Sequence, residues 1–210
     1  MSTRGERATR WRVESIALRD ATGNVSIPDN THFNDVGDYL VFSFNRSFWS
    51  SETSGKVRAE FTRASGFARN ELVTFHNIRI PSGASSTPIR MQKKVGENAL
   101  FIEQLQRHAP PVRMHEGLWN LELTGALVPK TPGVHVCLAE VRDQTGQDLG
   151  PGITHKLANG HQSFLFQTGP QSMTLNLTFA VQRSQVVEYL IALQSANTNQ
   201  LTENAALGRH

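Results

Sequence analysis

The chain has 210 residues, 38% hydrophobic and 19% charged, with a formal net charge of +3 and one cysteine. That length can bury a sizeable core without staples. Cys137 alone excludes an intramolecular disulfide and any zinc site built on two or more thiolates. No run approaches the ~18 apolar residues of a membrane helix, so no membrane insertion is expected. Nor do residues 1–7, Met-Ser-Thr-Arg-Gly-Glu-Arg, carry the apolar region of a secretory signal. The setting expected from both is reducing and intracellular.

Sixteen of the 21 basic residues are Arg, whose rigid fork matches phosphate and carboxylate. Arg4, Arg7, Arg10 and Arg12 fall within the first 12 residues against the single acid Glu6. Two readings stand for this cluster: a solvated terminus, or a short arm that touches nucleic acid or an anionic surface.

In chain order, Trp11 to Leu18 reads as a first strand, Asp20-Ala-Thr-Gly-Asn24 as a turn and Val25-Ser-Ile-Pro28 as a short extended piece. Asp29 to Asp35 reads as loop. Tyr39 to Phe48 alternates Leu40, Phe42 and Phe44 with Val41, Ser43 and Asn45. After a Ser-rich turn, Lys56 to Arg63 alternates Val57, Ala59 and Phe61 with Arg58, Glu60 and Thr62. Glu71 to Ile80 is a further strand, followed by a flexible loop from Pro81 to Pro88.

Over 97–108 the alternation breaks. Ala99, Leu100, Phe101, Ile102 and Leu105 follow Gly96 and precede Pro110-Pro111, a pattern that predicts one helix of about three turns. Leu118 to Leu127 returns to alternation, with Trp119, Leu121 and Leu123 inward. Val134 to Val141 is apolar on both faces and predicts a central strand; Cys137 within it reads as a buried, inert thiol. Arg142 to Gly160 reads as a long loop. Ser163 to Gln167 and Met173 to Gln182 predict a hairpin. In the second of these, Met173, Leu175, Leu177, Phe179 and Val181 alternate with polar or small residues, the mark of a strand with one packed and one wet face. Val186 to Gln194 suits a strand or a helix begun by Ser184, and is taken as strand. The tail from Ser195, rich in Asn, Gln, Thr and Ala, reads as poorly ordered.

These elements predict an all-β chain: one antiparallel β-sandwich of jelly-roll type with a short helix at about 97–108. Residues 1–19 form an Arg-bearing N-terminal segment and first strand, 20–195 the sandwich and 196–210 a flexible tail.

Searches for chemistry return little. There is no Gly-x-x-x-x-Gly-Lys-Ser/Thr, no Gly-x-Gly-x-x-Gly after a strand and no Gly-x-Ser-x-Gly elbow. The eight histidines contain no His-x-His, so no metal site is expected. Glu122 and Glu140 both sit on strands and are the only carboxylate pair singled out for glycoside chemistry; wet-face charge is the plainer reading. Neither a catalytic residue nor a cofactor is expected. Trp11, inside the Arg cluster, is the one aromatic placed where stacking and phosphate contact could cooperate.

A β-sandwich of this size, with long polar loops, an Arg-bearing start and a polar tail, resembles the coat proteins of small RNA plant viruses. In size it is similar to those of the ourmiaviruses. The resemblance is architectural and covers about residues 35–195. It implies a non-catalytic capsid subunit that assembles with copies of itself in the host cytoplasm, enters the virion and contacts RNA through phosphates. Many such coat proteins carry a dense basic arm, and Arg4, Arg7, Arg10, Arg12 and Arg19 make a thin one. An inner basic surface with Arg58, Arg63 and Arg69 would have to add to it. The nucleic-acid contacts expected are therefore Arg4, Arg7, Arg10, Trp11, Arg12, Arg58, Arg63 and Arg69. Two other readings remain: a ligand- or carbohydrate-binding β-sandwich module, and an RNA-binding viral movement or suppressor protein.

Overall fold

The computed structural model describes residues 11–28, 30–34, 39–44, 53–109, 118–150, 152–157 and 160–192. Arg4, Arg7, Arg10, Trp49 and the 196–210 tail lie outside them. The described chain is almost wholly antiparallel β. Its strands are β1 (Trp11–Arg19), β2 (Val25–Ser26), β3 (Asn30–Asn34), β4 (Tyr39–Ser43), β5 (Ser54–Arg63), β6 (Leu72–Arg79) and β7 (Ser86–Val95). There follow β8 (Asn98–His108), β9 (Trp119–Val128), β10 (Val134–Asp143), β11 (Ile153–Lys156), β12 (His161–Thr168), β13 (Thr174–Arg183) and β14 (Gln185–Ala192). The described helical structure is a 3-10 turn, Arg69–Glu71, together with Gly160.

The residues expected to form one sandwich over 20–195 are distributed over two compact units. Met1–Arg12 and Thr62–Ser184 make the first; Val13–Phe61 and Gln185–His210 make the second.

The first unit is an antiparallel β-sandwich. A five-stranded sheet, in the order β11-β12-β9-β8-β7, packs on a three-stranded sheet, β10-β13-β6. One core joins them: Phe75, Ile78, Leu138, Val141, Leu175, Leu177 and Phe179 from the smaller sheet, and Leu100, Ile102, Leu105, Leu121, Leu123, Phe164 and Phe166 from the larger. Phe179 meets Phe75 and Phe164 edge-to-face, at centroid distances of 5.8 and 5.0 Å. Through Phe164 it locks one sheet to the other. The division of strands is five and three, with β7, β8 and β9 consecutive neighbours. That order describes this sandwich better than the jelly-roll pattern expected from strand count.

In the second unit, a four-stranded sheet runs β14-β5-β1-β2, and β3 pairs with β4. The expected strand at 186–194 is strand as far as it is described, to residue 192: β14 pairs with β5 from Gln185↔Phe61 to Ala192↔Ser54.

Several expectations need correction. The helix at 97–108 is strand β8, entered by a tight turn from β7 in which Gly96 takes φ +59°. A bulge between Ile102 and Gln104 explains the misleading pattern. Leu100 and Ile102 point inward before it and Leu105 after it, so the extra residue turns a spacing of two into the three that a helix shows. The hairpin expected of β12 and β13 is a crossover between sheets: β12 pairs with β9 and β11, β13 with β10 and β6. The central strand of the small sheet is β13, with β10 at its edge. Finally, Met173 precedes β13 and is 68% exposed, whereas Leu175, Leu177 and Phe179 are fully buried as the alternation predicts. The loops read at 29–35, 81–88 and 142–160 also hold strand: β3, the start of β7, and β11 with the end of β10.

Candidate functional site

A hydrogen-bonded group of polar side chains in the first unit lies on the outer face of the five-stranded sheet. Leu121, Leu123 and Leu127 of β9 are buried, which turns Glu122 outward. Across β9 the register sets Glu122 opposite Gln106 on β8 and Leu165 on β12, so His108 and Ser163 are its diagonal neighbours. Both reach it. Ser163 Oγ donates to Glu122 Oε1 at 2.5 Å, and His108 Nε2 lies 3.0 Å from Oε2. The Ser163 hydroxyl holds the Glu122 carboxyl below its ordinary value, against the opposing effect of burial; His108 and the nearby His155 add to the shift. A second pair, His161 Nδ1 to Glu103 Oε2 at 3.1 Å, reaches from β12 to β8 over β9.

A serine, a histidine and a carboxylate thus converge, but in an order that does not activate the serine. In a nucleophilic triad the hydroxyl faces the imidazole, which takes its proton. Here it donates to a carboxylate whose basicity is lowered, and the serine is itself buried. The arrangement suits holding strands together. Glu140, the other carboxylate singled out, is on β10 in the opposite sheet and accepts from Arg142 Nη2 at 2.6 Å. The two acids are not a pair. Among the described residues no three His, Cys, Asp or Glu side chains are grouped to hold a metal ion. Cys137 is buried, as expected.

The residues expected at a nucleic-acid surface fall in both units. In the first, Arg63 is committed to Glu71, binding both carboxylate oxygens with Nη2, while Glu71 also accepts the Ala68 N–H at 2.8 Å. Arg69 is exposed on the 3-10 turn. Trp11 and Arg12 are half-buried at the start of β1. Arg58 is in the second unit, where other charged residues stand beside it.

On β5, Lys56, Arg58 and Glu60 face away from Val57 and Ala59. Ser15 Oγ of β1 donates to Glu60 at 2.9 Å and Lys56 Nζ lies 2.6 Å from Glu188 of β14, so these residues share one face of the four-stranded sheet. The Glu188 carboxyl is held below its ordinary value, first by the hydrogen bond from Lys56, then by the charges of Lys56, Arg58 and Arg19. Arg19, Lys56 and Arg58 thus stand near Glu188 on a face that also carries Glu60. Sequence alone places Arg19 in a thin arm and gives Lys56 no role. Their partnership depends on β1, β5 and β14 being neighbours, which no local pattern states.

Comparison with protein-family models, with curated proteins and with solved structures gives no match. Among the described residues no helix is long and apolar enough to cross a membrane.

Proposed function

We propose that this protein is a structural shell subunit, a viral capsid protein that assembles with copies of itself and holds RNA through arginine–phosphate contacts. The observation that carries this reading is the basic group on the four-stranded sheet, where Arg19, Lys56 and Arg58 outnumber the neighbouring acids Glu60 and Glu188. Such a group binds a polyanion through phosphates and reads no bases, as genome packaging needs. Arg4, Arg7, Arg10 and Arg12 would add phosphate contacts of their own. The subunit is non-catalytic in this reading and works in the host cytoplasm and the virion.

A second reading, a ligand- or carbohydrate-binding sandwich module, is favoured by the hydrogen-bonded row His108–Glu122–Ser163 on the outer face of the five-stranded sheet. A third, an RNA-binding movement or suppressor protein, shares the basic face with the first and differs in assembly. Size-exclusion chromatography followed by electron microscopy separates them. Shells or large rings are expected; a small discrete species that binds RNA supports the third reading, and one that does not supports the second.

A further inference from the structure

We propose that Arg107 and Trp119, at one end of the sandwich, form a binding site for a phosphate group. Arg107 is the last inward-pointing residue of β8 and Trp119 the first of β9. The guanidinium lies on the indole face, 3.7 Å from the ring centroid to Cζ. Nη1 donates to the carbonyl of Pro81 at 3.1 Å, and the Arg107 backbone N–H donates to the carbonyl of Ser85 at 2.8 Å. The loop between β6 and β7 is thereby drawn against the arginine.

What the arginine lacks is an acid. Arg63 and Arg142 each hold a carboxylate, Glu71 and Glu140. Among the described residues Arg107 has none, although burial weighs against its charge and lowers its pKa. An arginine remains protonated in a protein, so a positive group stands here partly desolvated and uncompensated. Its Nε–H is buried without an acceptor. Nη2 has no acceptor among the described residues either. Nε and Nη2 are the two donors on one edge of the guanidinium, the edge that grips an oxyanion side-on with two parallel hydrogen bonds. Nη1 and the stack on Trp119 fix the plane of the fork, and the edge they leave over is the one that binds anions.

The neighbouring loop favours phosphate over carboxylate. Pro81-Ser-Gly-Ala-Ser85 carries no acidic side chain and two hydroxyls, of which Ser85 Oγ already donates to the Ser82 carbonyl at 3.0 Å and Ser82 Oγ is the one to offer. A tetrahedral phosphate has oxygens to spare for such a donor once two are held by the arginine. A planar carboxylate has none. The phosphate can belong to an RNA backbone or be free in solution, and the chemistry of recognition is the same. This site does not rest on the shell reading and is independent of residues 1–12.

The experiment is a nitrogen–proton NMR titration of the full chain, following the Arg107 Nε–H signal, which is identified by its loss in Arg107→Lys. Inorganic phosphate, a uridine decamer and acetate are added separately at constant ionic strength. A saturable shift with phosphate and none with acetate is expected. Half-saturation at a lower concentration of the decamer than of phosphate makes RNA the source; a shift with phosphate alone makes it the free ion. Arg107→Lys, which keeps the charge and loses the fork, should weaken binding at least tenfold by calorimetry with an unchanged circular dichroism spectrum. No saturable shift with phosphate or decamer, or an equal shift with acetate, overturns the proposal. The comparison on the unaltered chain decides even where the variant fails to fold.

Discussion

Phe179 touches an aromatic ring of its own sheet and one of the opposite sheet, and none of its surface reaches solvent. Phe179→Ala removes both edge-to-face contacts and leaves a cavity that strands fixed on each side cannot collapse. The expected cost is about 3–5 kcal/mol, read from the shift in a denaturant unfolding midpoint. Glu122 is a different kind of residue, 28% exposed at the side chain and stabilised as an anion. Its folded pKa lies below the unfolded one. The stability it contributes is therefore present above the ordinary value of 4.5 and is lost as pH falls through the lower folded value. Glu122→Gln should cost about 1 kcal/mol at neutral pH, its partial exposure reducing what a charged hydrogen bond is worth. Thermal melts at about pH 7 and about pH 3 should show a smaller acid-induced drop in the variant than in the parent. An equal drop would show that the Ser163 and His108 bonds do not distinguish the ionised form.

Strand β8 shows how one element carries information that its neighbours must complete. At its bulge β9 comes close: a Cβ built at Gly125 would lie 2.5 Å from the Phe101 carbonyl oxygen. That oxygen is backbone and cannot swing aside. Gly125→Ala should therefore push β8 and β9 apart at the bulge and cost about 1–3 kcal/mol, with amide hydrogen exchange quickening first at residues 99–104. Unchanged protection there would mean that the bulge moves freely. Edge strand β7 uses a related device. Pro88, a second bulge between Pro88 and Met91, Arg90 at φ +53° and the charges of Lys93 and Lys94 make it a poor template for another strand. Further interior ties come from side chains that stand in for backbone. Gln182 accepts the Arg63 N–H and donates to the Arg63 carbonyl, at 2.9 and 2.7 Å. Asp143 accepts N–H groups of Thr145 and Gln147 and the hydroxyl of Thr145.

For the whole molecule the testable quantity is salt dependence. If RNA is held through its phosphates, deletion of residues 1–12 should lower the slope of log affinity against log salt by up to about 0.7 for each phosphate no longer neutralised, and Arg58→Ala by about 0.7. A filter-binding titration at two ionic strengths measures both. An unaltered slope in the two variants would make the terminus a solvated one and the basic face idle. Affinity should fall by a similar factor for RNAs of different sequence, because binding to phosphates carries no base information.

Alternation along single strands is legible from the residues alone, because it is a local consequence of one face packing and the other staying wet. That is why β5, β9, β13 and the fully buried Leu175, Leu177 and Phe179 can be found in the chain itself. Alternation is silent about which strands meet. The bulge that disguises β8 as a helix, the placement of β12 and β13 in different sheets and the edge position of β10 are all pairings between distant segments. The same limit applies to function. Arg58 can be picked out as a basic residue, and Trp119 as an inward one. That Arg58 stands with Arg19 and Lys56, or that Arg107 lies on Trp119, depends on strands becoming neighbours, which no local pattern states. The local pattern decided which face each residue occupies, and only the tertiary structure decided what it faces there.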